Sequence, residues 1–186
     1  VRGGTMVGRD FDSDDGVPHG GFYTQDELRD VVAYAQELGI TIVPEVDLPG
    51  HMVAALASYP ELGCTGGPYE VRRIWGIADD VLCAGKDATY RFLDDVINEI
   101  ADIFPGELFH IGGDECPKVR WENCPDCQAK IAELGLADKD GVSAEQYLQN
   151  YVTDHVRQTL AAKGKRLIGW EAIAEGNLDK NAMVHY

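Results

Sequence analysis

The fold is decided by a stretch at residues 24–47, which reads TQDELRDVVAYAQELGITIVPEVD. Thr24 and Glu27 have the spacing of a capping box, which predicts that a helix begins here. Apolar residues then recur at helical spacing, and Gly39 is expected to end the helix. The apolar run at residues 40–46 does not alternate with polar residues, which predicts a strand buried on both faces. The stretch is therefore a helix, a glycine and a strand, in that order.

The same unit of capped helix, breaker and strand returns twice further along the chain. The two helices begin near Asp87 and Ser143 and end at Pro105-Gly106 and Gly164, and the strands are residues 107–111 and 166–170. Another strand is expected near Ala182, whereas residues 1–23, rich in Gly and Asp, are expected to form a loop. This repetition implies a parallel sheet with crossover helices.

A parallel sheet of this kind belongs either to a doubly wound fold or to a barrel. The loops after the predicted strands are long, at residues 47–86 and 112–142, whereas those before the strands are short. Loops that follow the strands build the active site of a barrel. We therefore favour an α/β fold, a (β/α)8 TIM barrel of which about half is present, with residues 1–186 as one partial domain.

Composition and charge exclude several classes of function. The chain has 186 residues, a net charge of −16 and a pI of about 4.5. An acidic surface repels a phosphate backbone, so we expect no nucleic-acid partner. No apolar run approaches the roughly 20 residues that a membrane helix needs, so we expect no span in this segment. These quantities leave the oligomeric state open.

Carboxylates stand at the carboxyl ends of all three predicted strands. They are Glu45 and Asp47, then Asp114 and Glu115, then Glu171. In a barrel these strand ends converge on the axis, where a small substrate binds. The middle pair follows Gly112-Gly113, and its neighbouring carboxylates repel each other. One of the two is then expected to stay protonated near neutrality and to act as a general acid.

Aromatic residues beside these acids point to a sugar ligand. Trp170 precedes Glu171 at a strand end, and Trp121 lies in the loop after Glu115. Flat rings pack on the apolar faces of sugars, while carboxylates bind the hydroxyl groups. For each tryptophan, packing in the hydrophobic core is the alternative.

Three motifs of the chain resemble those of glycoside hydrolase family 20, the β-N-acetylhexosaminidases. They are Pro44-Glu45-Val46-Asp47-Leu48-Pro49-Gly50-His51, His110-Ile111-Gly112-Gly113-Asp114-Glu115, and Gly169-Trp170-Glu171. Their order and spacing agree with the family, and the resemblance runs through nearly the whole chain. The third motif departs from the family's Gly-Trp-Asp-Glu because Ala172 follows Glu171, which concerns one loop contact and not the acid pair.

The resemblance implies a retaining exo-β-N-acetylhexosaminidase that removes terminal β-linked GlcNAc or GalNAc by substrate-assisted catalysis. Glu115 would protonate the glycosidic oxygen, while the substrate's own 2-acetamido oxygen attacks the anomeric carbon and forms an oxazolinium ion. Asp114 would orient the acetamido group and stabilise its developing charge. The implied partner is a glycan that contains N-acetylhexosamine, and neither a cofactor nor a metal is implied.

The resemblance also implies supporting roles around this pair. Asp47, Glu45 and His51 would be polar neighbours of the acid, and Trp170 a wall of the sugar pocket beside Glu171. His110 is either buried structure or a supporting residue. The segment would hold roughly strands 3 to 6 of the barrel, with other binding residues outside it. We therefore expect the segment alone to be inactive, and the full-length protein to be exported to the periplasm or the exterior.

Two other functions stay open. A degenerate relative would keep the pocket for N-acetyl sugars and lack turnover. A metal-dependent barrel enzyme would use successive carboxylates to hold Mg²⁺, and the candidate ligands are Glu45, Asp47, Asp114 and Glu171.

Five cysteines leave at least one thiol without a partner inside the chain. Cys116, Cys124 and Cys127 are close in sequence, but a structural zinc site needs four ligands and we expect no fourth nearby. A Cys124–Cys127 disulfide or free thiols are favoured instead. If the protein is exported, the hypothesis is that Cys64 and Cys83 form a bridge.

Overall fold

The computed structural model describes residues 6–7 and 10–186, with side chains from Asp15 onwards. The first described element is an antiparallel hairpin of β1 (Met6–Val7) and β2 (Asp10–Asp14). The prediction of a loop throughout residues 1–23 was therefore wrong over these two strands. Backbone hydrogen bonds make the hairpin, so a composition rich in Gly and Asp did not reveal it.

Helix α1 (Gln25–Glu37) begins at the predicted capping box. The Thr24 hydroxyl accepts a hydrogen bond from the Glu27 N–H at 3.2 Å, and the Glu27 carboxylate accepts one from the Thr24 N–H at 2.7 Å. This exchange satisfies two donors that the first turn of a helix leaves free. Gly39, at a φ of +71°, follows the helix and lets the chain reverse. The predicted helix is confirmed at both ends.

Residues 40–46 are extended but differ from the predicted strand. Only the end of the segment pairs, through a parallel bridge between Glu45 and His110, where the Val46 N–H donates to the His110 carbonyl at 3.0 Å. Ile40 and Val43 are 54% and 39% exposed, so the segment is not buried on both faces. The reason is that its other edge has no partner strand among the described residues.

The remaining elements include the predicted helices and strands in the predicted order, together with short helices in the two long loops and after β4 that the sequence did not reveal. They are α2 (Val53–Ser58), a 3-10 helix (Pro60–Leu62), α3 (Asp87–Ile103), β3 (Leu108–His110), α4 (Val119–Glu122), α5 (Pro125–Leu134), α6 (Ala144–Ala162), β4 (Arg166–Trp170), a 3-10 helix (Glu171–Ala174) and β5 (Met183–His185). The sheet is parallel in the order β3-β4-β5, with Phe109 opposite Leu167 and Gly169 opposite Val184. The predicted strands at residues 107–111 and 166–170, and the one near Ala182, are thus confirmed.

Helices α3 and α6 pack against each other and cover the sheet. Phe109 and Leu167 point from the strands into the main core, where they meet Leu93 of α3 and Leu148 of α6. All four side chains are at most 1% exposed, and each contributes about 1.5–3 kcal/mol by its burial. This core fixes the carboxyl ends of β3 and β4, from which the long loops depart. None of the helices in the described part of the chain has the length and apolar character to cross a membrane.

Candidate active site

Two glycines aim the adjacent acids Asp114 and Glu115 out of the end of β3. Gly112 and Gly113 have φ angles of +63° and +90°, a region that side chains disfavour. A Cβ atom on Gly112 would lie 2.0 Å from Oδ1 of Asp47, so only glycine leaves room for that carboxylate. Glu115 itself has a φ of +45°, which is uncommon for a residue other than glycine. The local sequence therefore creates the sharp turn that presents the acids.

His51 is the point at which three carboxylates converge. Its Nε2 atom lies 3.3 Å from Oε2 of Glu115, 3.7 Å from Oδ2 of Asp114 and 4.0 Å from Oδ2 of Asp47. His51 also has a positive φ, at +54°, so a strained backbone holds its ring in place. The turn before it packs tightly, because a Cβ on Gly50 would lie 3.2 Å from the carbonyl oxygens of both acids. The structure thus joins the first and second predicted motifs.

Asp47 lies deepest in this group of acids. Burial raises the pKa of Asp47 to about 6, and the nearby charges of Asp114 and Glu45 raise it further. The hydrogen bond from the Gly113 N–H and the neighbouring His51 act in the opposite direction and lower it. A carboxyl with a raised pKa thus lies beside the adjacent acids. Sequence reasoning named Asp47 as a polar neighbour of the acid but did not predict its raised pKa, because the burial depends on tertiary contacts.

Asp114 carries a free acceptor inside the site. Its Oδ1 atom is buried and has no hydrogen-bond partner among the described residues. A buried acceptor without a donor costs free energy, on the order of 1–3 kcal/mol. Such an atom is a fitting partner for the N–H of a ligand. By contrast, the side chain of Glu115 is 51% exposed and has room to move.

His110 and Trp170 form a second group at the ends of β3 and β4. The His110 ring is buried, and its Nδ1 accepts a hydrogen bond from the Gly112 N–H at 3.0 Å. Burial lowers the pKa of His110, which favours the neutral ring, although Glu45 lies 3.2 Å away and opposes this. The centroid of the Trp170 ring lies 5.1 Å from that of His110, in an edge-to-face contact, and 4.3 Å from that of His185, on which it stacks. His110 therefore supports the glycine turn, and Trp170 lies beside it.

The other sequence candidates separate into surface and core. Glu171 is exposed in the 3-10 helix that follows β4. Trp121 is fully buried, and its indole N–H donates to the Leu82 carbonyl at 2.9 Å. Trp121 thus packs in the hydrophobic core, which was the alternative given above, and its ring is not accessible to a sugar.

Two residues that sequence reasoning missed support the acid turn from below. The Gln149 side chain of α6 donates to the Gly113 carbonyl at 2.7 Å and accepts from Lys118 at 2.6 Å. Lys118 also donates to the Cys116 carbonyl at 2.6 Å. Gln149 is 2% exposed, and a buried amide in the middle of an amphipathic helix was the available signal.

A cleft of about 300 Å³ adjoins His51. Its lining includes Trp75, Ile74 and Val53 from the loop after residues 44–48. The Trp75 ring is 73% exposed, which is unusual for so large an apolar side chain. This aromatic also escaped the sequence reasoning, because nothing local distinguishes it from an ordinary loop residue.

The acids also allow a test of the metal-dependent alternative. The ligand atoms of Asp47, His51 and Asp114 lie within 4.8 Å of one another. Glu45 and Glu171, which that alternative needs, do not belong to this group in the part of the chain that the structure describes. The four carboxylates that were proposed to hold Mg²⁺ are therefore not gathered around one point.

Comparison with known proteins identifies the family of the chain. The sequence model of the protein family "Glycosyl hydrolase family 20, catalytic domain" matches residues 5–186. The chain belongs to glycosyl hydrolase family 20. This family membership implies a fold that contains a TIM barrel, in keeping with the parallel sheet seen here.

Relatives within family 20 are similar over most of the chain. The β-hexosaminidase of Porphyromonas gingivalis is 48% identical over 97% of the chain and 22% of its own length. The β-hexosaminidase of Vibrio furnissii is 42% identical over 90% of the chain and 27% of its own length. The chain therefore spans about a quarter of the length of the curated relatives it matches.

Solved structures of this family give the same result. The chitobiase of Flavobacterium johnsoniae superposes with a TM-score of 0.81 at 38% identity, over 94% of the chain and 25% of that protein. The family 20 exo-β-N-acetylglucosaminidase of Vibrio harveyi, solved in complex with N-acetylglucosamine, gives a TM-score of 0.78 at 40% identity. That match covers 91% of the chain and 26% of the solved protein.

Proposed function

We propose that the full-length protein is a retaining exo-β-N-acetylhexosaminidase that removes terminal β-linked GlcNAc or GalNAc. The observation that carries this proposal is the arrangement of the acids. Glu115 is exposed and next to His51, whereas Asp114 offers a buried acceptor without a partner. The names of its family 20 relatives support the class of substrate.

Glu115 is the proposed general acid and base. It donates a proton to the glycosidic oxygen as the bond from that oxygen to C1 breaks. A proton donor must reach the leaving group, and the exposed side chain of Glu115 fits this need. In the second half of the reaction, its carboxylate removes a proton from the water that attacks C1. His51, 3.3 Å from Oε2, holds the carboxylate in position.

Asp114 is the proposed partner of the substrate's 2-acetamido group. Its free Oδ1 accepts a hydrogen bond from the acetamido N–H, which directs the acetamido oxygen at C1. That oxygen forms a bond to C1 as the leaving group departs, and the oxazolinium ion results. Attack by water at C1 reopens this ring with retained configuration. An internal nucleophile has a high effective molarity, up to about 10⁵–10⁸ M for well-oriented groups.

The adjacency of the acids supports this scheme over a protein nucleophile. A conventional retaining pair flanks the sugar with carboxyl groups about 5 Å apart. Asp114 and Glu115 leave the same strand end, and a carboxylate oxygen of each lies within 3.7 Å of the same His51 Nε2 atom. They suit a sugar whose leaving group and 2-substituent they contact together. No carboxylate is then needed across the ring.

The wider setting is part of the same proposal. We place residues 1–186 at roughly strands 3 to 6 of the catalytic barrel, with Trp170 as a wall of the sugar pocket. Among the described residues, the segment at 40–46 pairs with β3 on one edge and with no strand on the other, which supports this placement because a preceding barrel strand would pair with that edge. Export to the periplasm or the cell exterior remains part of the proposal, as do the supporting roles of Glu45, Asp47 and Glu171.

The test compares two aryl glycosides with the full-length protein. It should cleave p-nitrophenyl N-acetyl-β-glucosaminide and leave the matching β-glucoside, which lacks the acetamido group. Glu115→Gln should abolish cleavage, and Asp114→Asn should reduce kcat about 10²-fold or more, because each removes an interaction made in the transition state. Glu37→Gln, an exposed change on α1, is the matched control and should keep full activity.

Other results would lead to different conclusions. Equal cleavage of both glycosides would show that the acetamido group is not the nucleophile. Binding of N-acetylglucosamine without cleavage of either glycoside would favour a sugar-binding relative.

A further inference from the structure

Four thiols that are distant in sequence meet beside the start of α5. They belong to Cys64, Cys83, Cys124 and Cys127. The Sγ atom of Cys83 lies 3.6 Å from those of Cys124 and Cys127, and Sγ of Cys64 lies 3.9 Å from that of Cys127. All four sulfur atoms lie within 4.8 Å of one another, and all are free thiols. The expectation that Cys116, Cys124 and Cys127 lack a fourth ligand was therefore wrong in its grouping, because Cys64 and Cys83 join Cys124 and Cys127 while Cys116 stays outside.

The sulfur positions match a tetrahedron around one metal ion. A Zn–S bond is about 2.3 Å long, and four such bonds at tetrahedral angles separate the sulfur atoms by roughly 3.8 Å. The three separations of 3.6, 3.6 and 3.9 Å lie on both sides of this value. Cys83 contacts both Cys124 and Cys127, and Cys127 also contacts Cys64, so two of the four thiols each contact more than one other, as the corners of a tetrahedron do.

Hydrogen bonds of the backbone hold together the segments that carry these thiols. The Cys83 N–H donates to the Leu62 carbonyl at 2.8 Å, which joins the segments that carry Cys64 and Cys83. Lys86 donates to the Gly63 carbonyl at 2.8 Å and holds the same turn. The arrangement of the first two cysteines is therefore fixed by hydrogen bonds from neighbouring residues.

The other two cysteines come from one tight turn. Cys124 occupies the cap position of α5, and Cys127 lies in the first turn of that helix. This turn packs directly on Gly85, where a Cβ would lie 2.1 Å from the Asp126 carbonyl carbon. Cys83, Cys124 and Cys127 are at most 3% exposed, and Cys64 is half-buried. Such burial shields a metal site from water and leaves Cys64 as its outer ligand.

We propose that Cys64, Cys83, Cys124 and Cys127 bind one structural Zn²⁺ ion. Four thiolates complete the tetrahedral shell, so no position is left for substrate or water, and the site is structural. Zinc replaces the protons of the thiols and releases them to solvent. The partial positive charge at the start of α5 adds to the stability of the thiolates.

The zinc site would join the two long loops that carry the acids. Cys64 and Cys83 lie in the loop at residues 47–86, and Cys124 and Cys127 lie in the loop at residues 112–142. The first loop holds α2 and the second holds α4 and α5, and the cysteine cluster lies where the two loops meet. A shared ion would therefore fix the first loop against the second. The inference concerns loop structure and does not depend on the proposed hexosaminidase activity.

The test measures metal and thiols in the full-length protein, purified without chelator. Native mass spectrometry should show the mass of a bound metal ion, and elemental analysis of the same protein should identify it as zinc. Replacement by Co²⁺ should give the visible absorption of a tetrahedral thiolate complex together with sulfur-to-cobalt charge transfer. Alkylation in denaturant with chelator and without reductant, followed by peptide mapping, should label all five cysteines of this segment.

Variants then assign the ligands. Cys64→Ser changes the outermost ligand, and should lower zinc affinity at least tenfold and charge-transfer intensity by about a quarter, as one of four thiolates is lost. Cys116→Ser is the matched control, because Cys116 is buried but is not one of the four cysteines. It should keep both the zinc and the charge-transfer intensity.

Three results would overturn the proposal. One is disulfide-linked peptides that contain Cys83 or Cys124 in freshly purified protein. Another is five free thiols with no zinc or cobalt bound after addition of either metal. The third is a cobalt spectrum that is unchanged by Cys64→Ser or lost on Cys116→Ser. Because these measurements do not use enzyme activity, an inactive protein would not affect them.

Discussion

Asp47→Asn should stabilise the protein at neutral pH and have a smaller effect in mild acid. In the fold, the pKa of Asp47 rises from 3.8 to about 6, mainly because the carboxyl is buried. Burial therefore favours the protonated form, and ionisation of Asp47 destabilises the folded state as pH rises from about 4 to about 6. Asparagine does not ionise, and its Oδ1 still accepts the hydrogen bond from the Gly113 N–H.

The size of the effect follows from the two pKa values. One pKa unit corresponds to about 1.4 kcal/mol, so the ionised carboxylate costs about 3 kcal/mol at pH near 7.5. Near pH 4.5, where the folded state keeps its proton, the cost falls to about 1 kcal/mol. The Asp47 side chain is 27% exposed, so solvent screening makes these values upper limits. Asp47→Asn should thus gain up to about 2 kcal/mol more at the higher pH.

Urea unfolding of both proteins at the two pH values measures this difference. Asp30→Asn on α1 is the matched control, because that carboxylate is exposed, and it should show no comparable pH-dependent gain. The reasoning would be refuted if Asp47→Asn were equally stable relative to the wild type at both pH values, or were less favourable at the higher one. In that case Asp47 would be ionised in the fold at little cost, and its neighbours would hold it by charge.

Three further changes test how the site is held. Gly112→Ala places a methyl group 2.0 Å from Oδ1 of Asp47, at a residue whose φ is +63°. It should lower the free energy of unfolding, measured in urea, by about 2 kcal/mol or more, and it should also lower kcat. Gln149→Leu leaves the buried carbonyl of Gly113 without its donor and should lower the free energy of unfolding by about 1–3 kcal/mol. Gln149→Asn should not restore this stability, because the shorter side chain does not reach the carbonyl, and a recovery would contradict the geometry. Trp75→Ala should lower kcat/KM for aryl N-acetylglucosaminides several-fold with an unchanged unfolding midpoint, since the ring is 73% exposed, and a loss of stability instead would show that it packs in the core.

Local patterns determined much of the fold from the sequence. The capping box at Thr24 and the bounds of β4 depend on residues close together in the chain, and both are confirmed. The turn after β3 also follows from local sequence, since two glycines there allow positive φ angles. For the same reason, the adjacent acids Asp114 and Glu115 could be found from the order of residues alone.

Contacts between distant residues were decided only by the tertiary structure. The raised pKa of Asp47 needs burial of its carboxyl by the surrounding fold, and the role of Gln149 needs α6 to pack against the turn at Gly113. Trp121 shows no local sign of the core that surrounds it. The cysteine cluster joins residues as far apart as Cys64 and Cys127, while Cys116, much nearer to Cys124 in sequence, stays outside it. Sequence spacing fixes distances along a helix or strand, but distances between elements depend on how their side chains pack.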